Sequence, residues 1–134
     1  MAEHVAIVDR RYVKAILSGD KRVECRLTQT ARPPFGCITP GDRLYLKQSS
    51  GPFFAEATAG AVYMADKLTP AAIDAIRDQH DEAIQGEATF WEQRRKKARH
   101  VTLIWLRNVQ PIDEGPTYRK RHMVAWYVLE DDKP

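Results

Sequence analysis

The sequence has few cysteines and no long apolar run. Its two cysteines, Cys25 and Cys37, are too few for a disulfide framework, so we expect both to be reduced. No stretch approaches the roughly 20 apolar residues that a membrane span needs, and no basic amino-terminal segment precedes a long apolar run. Internal repeats, low-complexity tracts and an evident linker are also missing. These absences predict a cytoplasmic protein without a membrane partner.

The sequence also lacks the spacing of a metal site. His80 lies near Asp78, Asp81 and Glu82, but no two histidines have the separation of a metal-binding pair. The cysteines are far away along the chain. We therefore expect no metal and no cofactor, and we interpret His80 as a packing or surface residue of a helix.

What the chain does contain is enough apolar surface for one domain. With 134 residues, 43% of them hydrophobic and 29% charged, residues 1–134 have the size and composition of a single globular domain. The formal net charge is +3, and it is unevenly distributed. Between Thr89 and His122 there are nine Lys or Arg residues and three Asp or Glu residues, so this segment is basic and the remainder is acidic. Such asymmetry favours a polyanionic partner.

A short stretch joins a predicted helix to a strand that is rich in ionisable groups. The segment 10–18 has apolar residues at helical spacing, with Tyr12, Val13, Ile16 and Leu17 on one face and Gly19 as the left-handed cap. From Val23 the period changes to two, so Val23, Cys25 and Leu27 are predicted to face a core. Arg22, Glu24, Arg26 and Thr28 then share the opposite face, with Lys21 at its entrance.

That face has two interpretations. It is either a solvated strand surface with exposed ion pairs, or a cluster of opposed charges that binds or catalyses. In the second interpretation Glu24 is held between Arg22 and Arg26. Spacing alone favours the solvated surface.

The same residues resemble a known family. Tyr12-Val13, Ile16-Leu17, Gly19, Lys21, Glu24 and Arg26, followed by Gly41-Asp42, resemble the ASCH domain of the PUA-like superfamily, whose hallmark is Gly-x-Lys-x-x-Glu-x-Arg. The segment Trp126-Tyr127-Val128-Leu129 is similar to its closing strand. The resemblance implies an α+β fold, a PUA-like mixed β-barrel of about five to six strands with flanking helices. It also implies that the motif lies beside a cleft for a nucleotide or a nucleic-acid strand.

Most domains of this family are regarded as RNA-binding modules, and some members are enzymes. One is an amidohydrolase that deacetylates N4-acetylcytidine, and another branch has metal-dependent ribonuclease activity. The amidohydrolase has a threonine where this sequence has Glu24, so its nucleophile is missing here. We do not transfer that activity.

The remaining elements follow from the pattern of the sequence. Strands are predicted at 5–8, 43–48, 53–64, 101–106 and 123–129, the last two as partners. One helix is predicted to start at Pro70 and to end or bend at Gly86, and another is predicted at 88–98. Alanine and glycine between 53 and 64 suggest a bend or a close backbone approach. The loop 28–40 is either an arm over a cleft or a simple connection. Trp105 and Trp126 are predicted in the core, with a base-binding pocket as the alternative for a tryptophan.

Three further sets of residues are candidates for contact with RNA. Tyr45 lies between Arg43 and Lys47 on the outward face of its strand, which combines a stacking ring with cations. If this strand lay beside residues 22–28, as the family fold suggests, the two polar faces would merge. The other sets are basic: Arg94, Arg95, Lys96 and Lys97 at a helix end, and Arg119, Lys120 and Arg121 in a loop. Either basic set is also explained by solvation, and the first by the helix dipole.

The sequence therefore predicts an RNA-binding or modified-nucleotide-binding domain. Lys21 and Arg26 would engage phosphate or a base edge, and Glu24 would accept from an exocyclic amine. The alternative is a hydrolase acting on RNA or a modified nucleoside, with Lys21 and Glu24 catalytic. Recognition of a protein or a small metabolite is a third possibility. The sequence leaves the oligomeric state open.

Overall fold

The computed structural model describes residues 1–129, and its elements follow the predicted order. The six strands are β1 (Glu3–Val8), β2 (Val23–Thr28), β3 (Arg43–Gln48), β4 (Phe53–Ala65), β5 (His100–Pro111) and β6 (Trp126–Leu129). The three helices are α1 (Val13–Ser18), preceded by a 3₁₀ turn at Arg10–Tyr12, α2 (Pro70–Ile84) and α3 (Ala88–Arg95). No helix within residues 1–129 has the length and apolarity that a membrane span requires.

The strands form one mixed sheet in the order β2-β5-β4-β3-β1-β6. β1 and β3 are parallel, and the other neighbours are antiparallel. The two ends of the sheet lie close together: Arg26 of β2 donates hydrogen bonds to the carbonyls of Ile7 in β1 and Ala125 just before β6. The sheet is thus a partly closed barrel with flanking helices, which confirms the predicted α+β fold class.

Two apolar cores lie on opposite sides of β2 and β5. Val23, Cys25 and Leu27 are buried as predicted, and they pack with residues of α2 and α3 such as Ile73 and Trp91. The other core fills the barrel and includes Ala6, Ile16, Leu44, Leu46, Ala55, Ile104 and Trp126. The second face of β2 is therefore directed into the barrel, and the favoured interpretation of a solvated surface is wrong for Glu24.

The helix before β2 ends as its sequence predicts. Gly19 adopts a φ of 89°, in the left-handed region, and its N–H donates to the Ile16 carbonyl at 3.2 Å. Ile16 is buried, but Leu17 is 44% exposed, so its predicted burial is wrong. A helix of six residues buries a narrow stripe, and Leu17 lies about 100° around the axis from Ile16.

Two predicted strand arrangements are also wrong. The segment 123–129 does not pair with 101–106: its strand, β6, pairs with β1, and β5 pairs with β2 and β4. The strand with Arg43, Tyr45 and Lys47 does not lie beside β2, since β4 and β5 separate them. Alternation identifies the faces of a strand but not its neighbours, which barrel closure decides.

The predicted bend in the alanine-rich strand is confirmed. The pairing of β4 with β5 shifts register between Glu56 and Thr58 and again between Ala59 and Val62. Gly60 lies in the second irregularity, where a Cβ atom would come within 3.0 Å of the Arg107 side chain. These irregularities curve the longest pair of strands and allow the sheet to close.

Candidate nucleotide-binding cleft

Lys21, Glu24 and Arg26 meet at the entrance to the barrel. Glu24 Oε2 accepts from Arg26 Nε at 2.8 Å, and Glu24 Oε1 lies 3.9 Å from Lys21 Nζ. The side chains of Lys21 and Glu24 are 5% and 8% exposed. Arg22, which was predicted to flank Glu24, is exposed and lies 3.9 Å from Glu82 instead. Since β2 begins at Val23, Arg22 is not part of the alternating strand. Lys21, rather than Arg22, is the second cation beside Glu24.

Helices α1 and α2 hold Lys21. Its backbone N–H donates to the Ala15 carbonyl in α1, and its Nζ donates to the Ile84 carbonyl at the end of α2 at 2.5 Å. The ammonium group also lies 4.9 Å from the centre of the Tyr12 ring. An ammonium has three N–H donors, so donors remain for Glu24 and for a ligand.

Arg26 bridges the two ends of the sheet. Besides Glu24, its guanidinium donates to the carbonyls of Ile7 at 2.9 Å and Ala125 at 3.3 Å. Its Cζ lies 5.0 Å from the ring centre of Trp126, which is buried. With these partners satisfied, Arg26 holds the Glu24 carboxylate in one orientation.

A buried network supports Trp126 from behind. Its indole N–H donates to His4 Nδ1 at 2.9 Å, and His4 Nε2 lies 2.9 Å from Asp42 Oδ2. Because an indole can only donate, His4 Nδ1 must accept, so Nε2 carries the proton that is donated to Asp42. Burial would raise the pKa of Asp42, but hydrogen bonds from His4, Ala2 and Thr39 outweigh it and lower that pKa below its ordinary value.

One oxygen of Glu24 has no partner. Among residues 1–129 no donor forms a hydrogen bond with the buried Oε1, although Lys21 Nζ is nearby. A buried carboxylate oxygen without a hydrogen bond is costly, and native structures contain few such groups. Glu24 lines the adjoining cleft.

The cleft has a volume of about 770 Å³ and runs along the free edge of β2. Leu106 N–H donates to the Arg22 carbonyl, so alternate residues of β2 bond to β5 and the backbone groups of Cys25 and Leu27 point to the open edge. Both residues line the cleft. Its other walls come from β1, α3, the residues before β6 and the loop 28–40, through Arg32, Pro33 and Pro34.

Most cations of this cleft lie close to an aromatic ring. Its lining contains six cations, Arg11, Lys21, Arg26, Arg32, Arg94 and Arg121, and two carboxylates, Asp9 and Glu24. Each cation except Arg32 lies within 6 Å of an aromatic ring centre. Such contacts restrict the cations before any ligand arrives. The cleft thus combines net positive charge with apolar ring surface.

Only some of the predicted site residues line this cleft. Lys21, Glu24, Arg26, Arg94 and Arg121 do. Arg95 turns away and forms a two-pronged pair with Asp74 at 2.9 and 2.7 Å. Lys96, Lys97, Arg119 and Lys120 are exposed outside it. On the far side of the sheet Arg43 pairs with Glu56 at 2.9 Å, Tyr45 hydroxyl lies 3.5 Å from Glu3, and Lys47 is half-buried.

Sequence reasoning missed several residues of the cleft. Tyr12 was assigned to a packing face and Phe90 to no site, yet each lies against a cation of the cleft. Trp126 is buried as predicted and contributes to the cleft as well, in line with the alternative kept for a tryptophan. Arg11 and Arg32 carried no signal in the sequence. A single basic residue next to an aromatic one, as in Arg11-Tyr12, is too common to indicate a site.

Chemistry at Cys25 is disfavoured. The thiol is fully buried, and burial raises its pKa to about 12, so the reactive thiolate is scarce at neutral pH. Both cysteines are free thiols, as expected. Residues 1–129 contain no group of three or more His, Cys, Asp or Glu side chains placed to hold a metal ion.

Comparison with known proteins establishes the fold. No family model and no curated protein match the sequence. Crystal structures of two mutant proteins of ZmASCH, from Zymomonas mobilis, superimpose with TM-scores of 0.72 at 17% and 18% identity, covering 96% of this chain and 91% and 89% of theirs. A third structure, of ASCH from Zymomonas mobilis, gives 0.64 at 20% identity over 81% of this chain and 69% of that one. The chain thus has the fold of an ASCH domain, the family that its sequence resembles.

Proposed function

We propose that the cleft along β2 binds single-stranded RNA and receives one nucleotide at the Lys21–Glu24 pair. The observation that carries this proposal is that Glu24 lines the cleft while its buried Oε1 accepts no hydrogen bond within residues 1–129 and has Lys21 Nζ 3.9 Å away. Exocyclic amines and ring N–H groups of bases are donors of the kind that this oxygen needs. Lys21 beside it supplies a donor for a neighbouring ring nitrogen or carbonyl oxygen.

The surroundings of this pair favour a nucleic acid over an uncharged ligand. Six cations against two carboxylates attract a phosphate backbone, and the rings of Tyr12 and Phe90 offer apolar surface for a base. A volume of about 770 Å³ is within the range of small-molecule sites and exceeds the space that a lone ion requires. The cleft also continues to the exposed surface at Arg121 and Arg32, which suits a strand that enters and leaves.

Binding of short single-stranded RNA to a Lys21→Met variant tests this proposal. Methionine preserves the length of the side chain but removes a charge-assisted donor, so we expect the affinity to fall about tenfold or more. We also expect discrimination among homopolymeric RNAs to disappear. Fluorescence anisotropy with labelled oligonucleotides gives both quantities, and thermal unfolding shows whether the variant is folded.

Lys14→Met is the matched control. Lys14 lies on α1, is exposed and is not part of the cleft lining, so its loss removes the same charge from the same region of the molecule. We expect its RNA affinity to stay within about threefold of wild type. Equal losses in the two variants, or no RNA binding by the wild type, would contradict the proposal.

The hydrolase alternative is tested in the same samples. A hydrolase with Lys21 and Glu24 as catalytic groups needs one of them as a base for water, but Lys21 Nζ donates to the Ile84 carbonyl and Glu24 Oε2 accepts from Arg26 Nε. We therefore expect the mass of bound RNA and of modified nucleosides such as N4-acetylcytidine to remain unchanged during incubation. A product that disappears with Lys21→Met would establish the hydrolase instead.

A further inference from the structure

Arg94 is the half-buried cation of the cleft that forms no ion pair with a carboxylate of residues 1–129, whereas Arg32 and Arg121, which also form none, are exposed. It lies in the last turn of α3 and lines the cleft. Its guanidinium lies 4.2 Å from the ring centre of Phe90, and its one hydrogen bond within residues 1–129, donated to the Phe90 carbonyl, is long at 3.4 Å. A guanidinium carries five N–H donors, so most of them are available.

The other arginines that border α3 and the motif are neutralised. Arg26 pairs with Glu24, Arg11 pairs with Asp9 and Glu87, and Arg95 pairs with Asp74. Within residues 1–129, Arg94 forms no such ion pair although it is half-buried. Burial lowers the pKa of Arg94, which means that the site makes the cation less favourable than it would be in water. An anion in the cleft would reverse this penalty.

The kind of anion follows from the shape of the group. A guanidinium on an aromatic ring presents a planar fork of donors, which matches two oxygens of a phosphate. Lys21, Glu24, Arg26 and Arg94 all line the cleft, as does Cys25 in the middle of β2. Arg94 approaches from α3, whereas Lys21 and Glu24 lie at the strand entrance.

We propose that Arg94 is the phosphate subsite of the cleft, so that the site takes a phosphorylated nucleotide unit rather than a free nucleoside. The base lies at Lys21 and Glu24, and the phosphate lies on the fork of Arg94. This inference rests on the proposed function, since it assigns the second half of the same ligand. It turns a general basic surface into an oriented site for one nucleotide.

The test compares four ribonucleosides with their 5′- and 3′-monophosphates and with inorganic phosphate, by calorimetric titration. The wild type should bind at least one monophosphate about tenfold more tightly than its nucleoside, because a charge-assisted two-pronged contact contributes at least that factor. In Arg94→Ala this preference should disappear while the affinity for the nucleoside stays within about threefold. Arg94→Lys should restore part of it, since the charge returns without the fork.

Arg95→Ala is the matched control, because Arg95 is the adjacent residue of the same helix and is occupied by Asp74 outside the cleft. It should keep the wild-type preference. Arg94→Ala should remain folded without ligand, because Arg94 is half-buried and forms no ion pair within residues 1–129, and thermal unfolding checks this.

The outcomes separate the two proposals. A preference for the monophosphate that survives Arg94→Ala, or equal binding of nucleoside and monophosphate by the wild type, would overturn the role of Arg94 alone. Failure of every nucleoside, nucleotide and RNA to bind would overturn both proposals.

Discussion

At the scale of one residue, the two carboxylate oxygens of Glu24 have different surroundings. Its Oε2 is fixed by Arg26, whereas its Oε1 is buried without a hydrogen bond, so the residue is stable only as part of a cluster of charges. Alternation along β2 correctly placed Glu24 opposite Val23 and Cys25. It could not reveal that this opposite face is directed into a barrel, because closure depends on Ile7 and Ala125, which are distant in sequence.

The charge of Glu24 is expected to stabilise the fold. Glu24→Gln would leave Lys21 and Arg26 without an anion in a buried setting, which we expect to lower the free energy of unfolding by about 3 kcal/mol. Urea denaturation followed by tryptophan fluorescence measures this change. Adding Lys21→Met to Glu24→Gln should cost less than the sum of the two single changes, because the pair shares one interaction.

Glu82→Gln provides the control for this experiment. Its side chain is 91% exposed and lies 3.9 Å from Arg22, so we expect no measurable change in stability. A Glu24→Gln variant that denatures at the same urea concentration as the wild type would show that the cluster does not hold the barrel together.

Among elements, the sequence identified faces and ends better than neighbours. The strand at Arg43–Gln48 was predicted with its bounds and α2 with its start after Thr69, since alternation and capping are local signals. The sequence did not predict that β6 pairs with β1 or that β4 and β5 separate β3 from β2. A mixed sheet in which β1 lies between β3 and β6 depends on contacts more than a hundred residues apart, for which a short pattern carries no information.

The network of Asp42, His4 and Trp126 joins these distant elements, and from it we expect the stability of the fold to depend on pH. Because the folded pKa of Asp42 is lowered, its stabilising effect is complete above its unfolded value of 3.8 and is lost as the pH falls through the folded value. Asp42→Asn should therefore be about 2 kcal/mol less stable than the wild type at neutral pH. The gap should narrow as the pH falls below about 4, which thermal unfolding across a pH series measures.

Asp74→Asn separates a buried carboxylate from an exposed one. The pKa of Asp74 is also lowered, by its hydrogen bonds from Arg95, but this pair lies on the surface. Salt should remove any effect of Asp74→Asn and leave that of Asp42→Asn, since screening acts on exposed charges. His4 is the one titratable side chain within residues 1–129 that bonds to Asp42. If the stability gap between Asp42→Asn and the wild type stayed constant as the pH falls, Asp42 would be excluded as the source of the pH dependence.

For the whole molecule, charge counted along the sequence and charge arranged in space differ. The basic segment 89–122 predicted a binding face, yet Arg11, Lys21, Arg26 and Arg32 of the cleft come from outside it. Arg94 and Arg121 are the members of that segment that line the cleft. Folding gathers single cations from distant segments, and no count over a continuous window can detect this.

The exposed cations outside the cleft therefore define the last prediction. Lys96 and Lys97 follow α3 directly and are exposed, so a longer RNA that leaves the cleft near Arg94 would pass them, whereas a mononucleotide would not. Changing both to Gln should weaken the binding of oligonucleotides of every sequence alike. It should also reduce the slope of log affinity against log salt by up to about 1.4, because each phosphate contact on a single strand contributes about 0.7. The affinity for a monophosphate should not change, and a comparable loss for the monophosphate would show that these lysines belong to the site itself.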